Sequence, residues 1–185
     1  SKLEGLINSE TPLIGIEPST ILSFRDEYPS LIVSKNKSIS KDIIENALLI
    51  DEFLVREIDK GNIVKEDFTS QRRKILLHGH CQQKALIGTS AMEKVLSLPE
   101  NYEVEVIQSG CCGMAGSFGY EEKHYEISQK IGNQILFPTI LKAETDTIIS
   151  APGTSCRDQI KHSIDVNALQ PIQILWEARQ LKSEE

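Results

Sequence analysis

Long apolar runs are missing from this 185-residue chain. No stretch approaches the roughly 20 residues that cross a bilayer, and no charged-then-apolar leader precedes a small-residue cleavage site. A cytoplasmic protein is therefore expected, with any membrane association confined to the periphery of the inner face. Basic runs are missing too. Gln71-Arg72-Arg73-Lys74 is the densest, and reads as a solvated approach to the strand that follows. With a net charge of -7 this argues against a sequence-independent nucleic-acid surface. There is no GxGxxG, no Walker lysine and no flavin motif, and neither an internal repeat nor a low-complexity segment. Cysteine is scarce: four residues, two of them neighbours, do not make a disulfide scaffold at this length, so thiols or thiolate ligands fit better. An initiating methionine is absent, because the chain begins Ser1-Lys2-Leu3, which suggests the C-terminal fragment of a larger protein.

What is present describes an ordinary globular protein. Hydrophobic residues at 39% and charged residues at 25% suit a single domain over 1–185 with one well-buried core. Residues 12–17, 74–78, 103–108 and 147–151 predict strands, and 172–175 either a fifth strand or the start of the last helix. Helical spacing predicts a short helix over 19–28 and a long one over 40–60, stopped at Gly61. Further helices are expected over 82–98, from Glu121 through Ile135, near Phe137-Pro138 and from Ser155 as a cap. The tail from 180 onward is charged and expected to fray. Strands alternating with helices imply an α/β fold: a three-layer, open, mostly parallel sheet with helices on both faces.

The residues that carry chemistry fall at the ends of those strands. Ligands gather at the carboxyl edge of an open parallel sheet. Cys81 follows the second predicted strand, Cys111 and Cys112 the third, and Cys156 the fourth, so the fold is expected to bring them together. Cys81 and Cys156 also sit at predicted helix starts, where free amides favour the thiolate, so a lowered pKa is expected at both. Side chains of neighbouring residues point apart in extended backbone, and the glycines around Cys111 and Cys112 allow the sharp turn that lets both sulfurs face one site. Gly110, Gly113 and Gly116 are the candidate cofactor-binding positions, as a backbone nest.

Cys81, Cys111, Cys112 and Cys156 are the candidate metal ligands, with His80 able to replace one. Four thiolates suit tetrahedral zinc or an iron–sulfur cluster, and the larger cluster accepts adjacent cysteines more readily. Two alternatives stay open: small buried thiols, and a nucleophilic cysteine beside His78, His80 or His124. His124 is expected to pack on its helix, His162 to be solvated, and Glu17 to pair with Arg25.

Three segments together resemble a known family: His78-Gly79-His80-Cys81, the run Cys111-Cys112-Gly113-Met114-Ala115-Gly116-Ser117-Phe118-Gly119-Tyr120, and Ala151-Pro152-Gly153-Thr154-Ser155-Cys156-Arg157. They resemble the cysteine-rich CCG domain of the heterodisulfide reductase B-subunit type, as found at the C-terminus of bacterial FAD-linked oxidases related to glycolate oxidase, D-lactate dehydrogenase and glycerol-3-phosphate dehydrogenase subunits. Family members carry two copies of a pattern: a cysteine, a spacer, CCG, a second spacer, then CxxC. By that resemblance 74–175 is a CCG module and 12–65 a remnant of a preceding copy, with Thr20 where relatives often have cysteine. Gly153 stands where the first cysteine of CxxC belongs, and Gln82 where many relatives have histidine.

The resemblance implies a 4Fe-4S type of iron–sulfur cluster on Cys81, Cys111, Cys112 and Cys156, with zinc or an empty site as the alternative in the isolated chain. It implies electron transfer from FAD, bound only in the rest of the parent protein. The partners would be the flavin and ferredoxin-like domains of that parent and an electron acceptor. No dehydrogenase activity is expected from this chain alone. The competing expectations are a zinc-binding or metal-free interaction domain docking onto the flavin part, and a disulfide-reducing thiol enzyme using Cys111 or Cys112.

Overall fold

The structure, a computed structural model, describes residues 5–31 and 37–179, with the backbone alone for 37–40. The expected tail from 180 onward lies outside the described residues. In chain order the elements are β1 (Leu13–Gly15), α1 (Pro18–Ile21), α2 (Glu27–Leu31), α3 (Lys37–Asn46), β2 (Ala47–Leu49) and α4 (Ile50–Asp59). There follow β3 (Arg73–Leu77), α5 (Cys81–Leu86), α6 (Ser90–Leu96), β4 (Tyr102–Val106), α7 (Tyr125–Gln134) and α8 (Leu136–Leu141). The chain then runs through β5 (Ile148–Ser150), α9 (Thr154–Ile164) and α10 (Pro171–Ala178).

Every pairing between these strands is parallel, as the alternation of strand and helix requires. The strands divide between two sheets. β3 is the centre of a three-stranded sheet ordered β4-β3-β5, with Leu77 opposite both Val106 and Ser150. β1 and β2 form a separate pair, with Gly15 opposite Leu49.

Alternation along β3 sends its side chains to opposite faces, and a helical layer covers each. Leu76, with Ile149 of β5, packs among Leu136, Phe137 and Ile140 of α8 and Ile160 of α9. Ile75 and Leu77 face the other way, onto Met92, Val95 and Leu96 of α6 and Ile174 and Leu175 of α10. Burying a side chain of this size contributes on the order of 2 kcal/mol, so the central strand is held from both sides. With β3 fixed, the residues that follow it, from His78 on, are fixed at the sheet's carboxyl edge.

Three helical expectations are corrected. The long helix over 40–60 is interrupted at β2, because the unbroken apolar run Ala47-Leu48-Leu49 is fully buried and pairs with β1. A short apolar run of that kind is ambiguous by periodicity alone, and sheet pairing decides it. The helix over 82–98 divides at Gly88, whose φ of +76° lies where an α-helix cannot continue. The first helix divides among α1, a 3-10 turn at Leu22–Phe24 and α2. Residues 172–175 belong to α10, a helix, and among the described residues the edge position beside β5 is met by a parallel bridge from Ser150 to Leu169.

Candidate metal centre

The carboxyl edge of the three-stranded sheet gathers the chain's thiols. Cys81 opens α5, directly after the His78-Gly79-His80 turn that follows β3. Cys111 and Cys112 lie in the loop after β4, and Cys156 sits in the first turn of α9, after β5. The four form one row of interacting side chains. Cys111 interacts with both Cys81 and Cys112, and Cys112 interacts with Cys156 as well. Exposure grades along it: Cys81 is at the surface, Cys111 half-buried, and Cys112 and Cys156 are 3% and 2% exposed.

Two thiols are set up to ionise and two to keep their protons. The Cys111 thiol is held far below the usual thiol range by the donors Cys112 and Cys81, helped by the backbone amides of Gly113 and Ala115. The Gly113 N–H donates to Cys111 Sγ at 3.3 Å. Cys156 is also held low, by Cys112 first and then by the nearby His78 imidazole, whose Nε2 does not reach hydrogen-bond geometry with any group. Cys81 is pushed up, chiefly because its proton serves Cys111, and this corrects the expectation that its helix start would lower it. The α5 terminus spans only six residues, and a direct sulfur partner outweighs it. Cys112 is pushed up by its sulfur neighbours, Cys111 first and then Cys156, and by burial.

Two imidazoles close the inner wall. His78 is fully buried, with Nδ1 2.8 Å from Ser109 Oγ and Nε2 without a partner. One ligand atom each from His78, Cys112 and Cys156 lies within 4.8 Å of the others. His80 is 8% exposed, its Nδ1 also lacks a partner, and its ring lies over Gly153. A Cβ on residue 153 would stand 2.6 Å from His80 Cδ2 and 3.3 Å from Cys156 Sγ, so the imidazole fills the space that a side chain at 153 would need.

The glycines of the loop do different things. Gly113 (φ +105°) and Gly116 (φ +69°) lie in left-handed backbone, with Ala115 between them at φ +43°. A Cβ at Gly113 would come within 2.2 Å of the Ser128 carbonyl oxygen, so its bareness lets the loop press on α7. Gly110 and Gly116 face open space.

Several residues that support this edge were not legible as such. Lys84 Nζ donates to the carbonyls of Ser109 and Gly110 at 2.5 and 2.6 Å. Burial draws its pKa down while the nearby sulfurs oppose that, which places a cation beside the thiolates. Glu17 does not pair with Arg25. Its Oε2 accepts from both the N–H and the hydroxyl of Thr154, each at 2.9 Å, and so supplies the cap that Gly153 lacks at the start of α9. That role also replaces the expected cap at Ser155. Arg25 instead binds Glu52 at 3.0 and 2.7 Å and the Ala47 carbonyl at 2.6 Å. Arg157 donates to the carbonyls of Ala151 and Pro152, fixing the turn before Cys156. Sequence signals existed for two of these: Lys84 is one helical turn from Cys81, and Ser109 directly precedes the glycine-cysteine run.

The remaining histidines lie outside the thiol row. His124 stacks on Phe118 at 4.0 Å, and His162 is exposed on α9, edge-on to Tyr125. Among the described residues no helix is long and apolar enough to cross a membrane.

Comparison with known proteins adds ancestry to geometry. The chain is 30% identical to D-2-hydroxyglutarate dehydrogenase of Pantoea ananatis over 167 residues, covering 90% of this chain and 15% of that protein. It is 29% identical to a subunit of the anaerobic glycerol-3-phosphate dehydrogenase of Escherichia coli K12, covering 90% of this chain and 40% of that polypeptide. The D-2-hydroxyglutarate dehydrogenase of the same strain is 28% identical over the same 90% and 15%. The chain is related to dehydrogenases. It spans between 15% and 40% of the length of these relatives. No family model matches it, and no solved structure does so significantly.

Proposed function

We propose that this chain is the iron–sulfur electron-transfer domain of an FAD-linked 2-hydroxy-acid oxidoreductase, of the CCG type. The observation that carries this reading is the single row of four thiols lined by two buried imidazoles with unpaired ring nitrogens. A buried polar nitrogen without a partner is costly, and a metal is a partner that would satisfy it. Cys81, Cys111, Cys112 and Cys156 would hold the cluster. His80, filling the space over Gly153, would be the nitrogen donor able to replace one of them. Adjacent cysteines are accepted more readily by a cluster of several irons than by one small ion, which favours a cluster, and four ligands suit the 4Fe-4S type.

The bound cluster would supply one-electron chemistry, and the protein's part is to hold and tune it. Lys84 offsets thiolate charge, Glu17 and Arg157 hold α9 in place, and the bare faces of Gly110 and Gly116 leave room beside the loop. Cys81 at the surface marks the side nearest an electron donor or acceptor. FAD would lie in the rest of the parent protein, whose flavin and ferredoxin-like domains would be the partners. The names of the relatives favour a 2-hydroxy acid such as D-2-hydroxyglutarate as the parent's substrate. In this reading 12–65 is the remnant of a preceding copy and 74–175 the working module, in a cytoplasmic protein that is at most peripheral to the membrane.

Anaerobic purification with counts of iron, sulfide and zinc and a visible spectrum tests this. Brown protein containing iron and sulfide is expected. Colourless protein with one zinc would replace the reading with an interaction domain, and metal-free protein with a rapidly alkylated thiol would replace it with a thiol enzyme.

A further inference from the structure

We infer that His78 is a ligand of the bound cluster and that Ser109 is its positioning residue. The inference rests on the iron–sulfur reading above and goes further, because sequence reasoning gave His78 only the end of a strand or a place beside a nucleophile.

Three observations converge on it. First, His78 follows the central strand directly, and its backbone N–H donates to the Ser150 carbonyl at 2.8 Å, so the residue cannot move independently of the sheet. Second, the ring is buried completely, yet only one nitrogen is satisfied: Nδ1 meets Ser109 Oγ at 2.8 Å, and Nε2 has no partner. Third, a ligand nitrogen of His78 stands within 4.8 Å of both the Cys112 and Cys156 sulfurs, the most deeply buried pair of the thiol row. One ring nitrogen anchored by an oxygen and the other left for a metal is the usual arrangement of a metal-binding histidine, because the anchored nitrogen fixes tautomer and ring plane together.

The consequence is a mixed donor set. Cys81 and Cys111 lie on the exposed side, while the His78 nitrogen lies on the floor beside Cys112 and Cys156. A neutral imidazole at this position adds no negative charge where a thiolate would, so the reduction potential would lie above that of the same set with a thiolate there. The floor position suits that role, since water is excluded there and charge is least screened.

The test uses the whole chain, loaded anaerobically with ferrous iron and sulfide, and labelled with 15N-histidine. Pulsed electron paramagnetic resonance of the reduced protein reads histidine nitrogens bound to iron. Coupling to 15N is expected, with one component lost in His78→Gln and retained in His80→Gln. Ser109→Ala removes one hydroxyl and nothing else, so it serves if His78→Gln does not fold; it is expected to keep its iron and change the coupling. A loaded wild-type protein without histidine coupling would overturn the inference and leave the iron–sulfur reading standing. So would a coupling that His78→Gln or Ser109→Ala leaves unchanged. Failure of the wild type to take up iron and sulfide would instead overturn the iron–sulfur reading, and the inference with it.

Discussion

Asp51 lies buried in the first turn of α4, accepting from Gln83 Nε2 at 3.0 Å, and its pKa is raised from 3.8 to about 6, mainly by burial. Between those values the folded protein binds more protons than the unfolded chain, so stability falls as pH rises from about 4 to about 6 and stays reduced above. The full effect is roughly 3 kcal/mol. Asp51→Asn keeps an oxygen for Gln83 and is expected to gain about 1–2 kcal/mol at pH 7.5, with little change at pH 4, measured by urea unfolding at both. Glu17→Ala removes the borrowed cap of α9 and is expected to cost about 1 kcal/mol, with Glu17→Gln costing less because it still accepts from Thr154. Individual residues were the hardest scale to read from sequence. The cysteines announced themselves by glycine context and strand position, but Glu17 lies 137 positions from Thr154, and no local pattern reports such a pair. Cys81 shows the same limit: its helix position was legible, whereas its proton is committed to a sulfur thirty residues away by sequence number.

Among the elements, the loop from Gly110 to Tyr120 separates two kinds of glycine. Gly113→Ala would drive a Cβ against the α7 backbone at 2.2 Å, where nothing flexible can give, and is expected to cost about 3 kcal/mol or more. Gly116→Ala meets open space and pays only for its left-handed backbone, about 1 kcal/mol. Chemical denaturation of the pair checks the contrast, and equal losses would contradict it. Strands and long amphipathic stripes were legible here because burial on one face leaves a period in the sequence. The breaks were less so. Gly88 interrupts a segment whose helical stripe continues on both sides, and β2 became a strand only because β1 offered it a partner.

For the molecule as a whole, the alternation of strand and helix made the parallel α/β architecture legible. That architecture turned four scattered cysteines into neighbours at one sheet edge. The division into two sheets was not legible, since nothing in a strand's own residues says which sheet it joins. This chain alone, assayed with D-2-hydroxyglutarate, D-lactate or glycolate and an artificial acceptor, is expected to turn over none of them. The proposed function stands or falls on whether the four sulfurs serve one cluster. The decisive quantity is iron per chain in the anaerobic Cys81→Ser, Cys111→Ser, Cys112→Ser and Cys156→Ser variants beside the wild type. Each of the four is expected to lose most of its iron, and wild-type iron content in the Cys81 or Cys156 variant would refute a shared site.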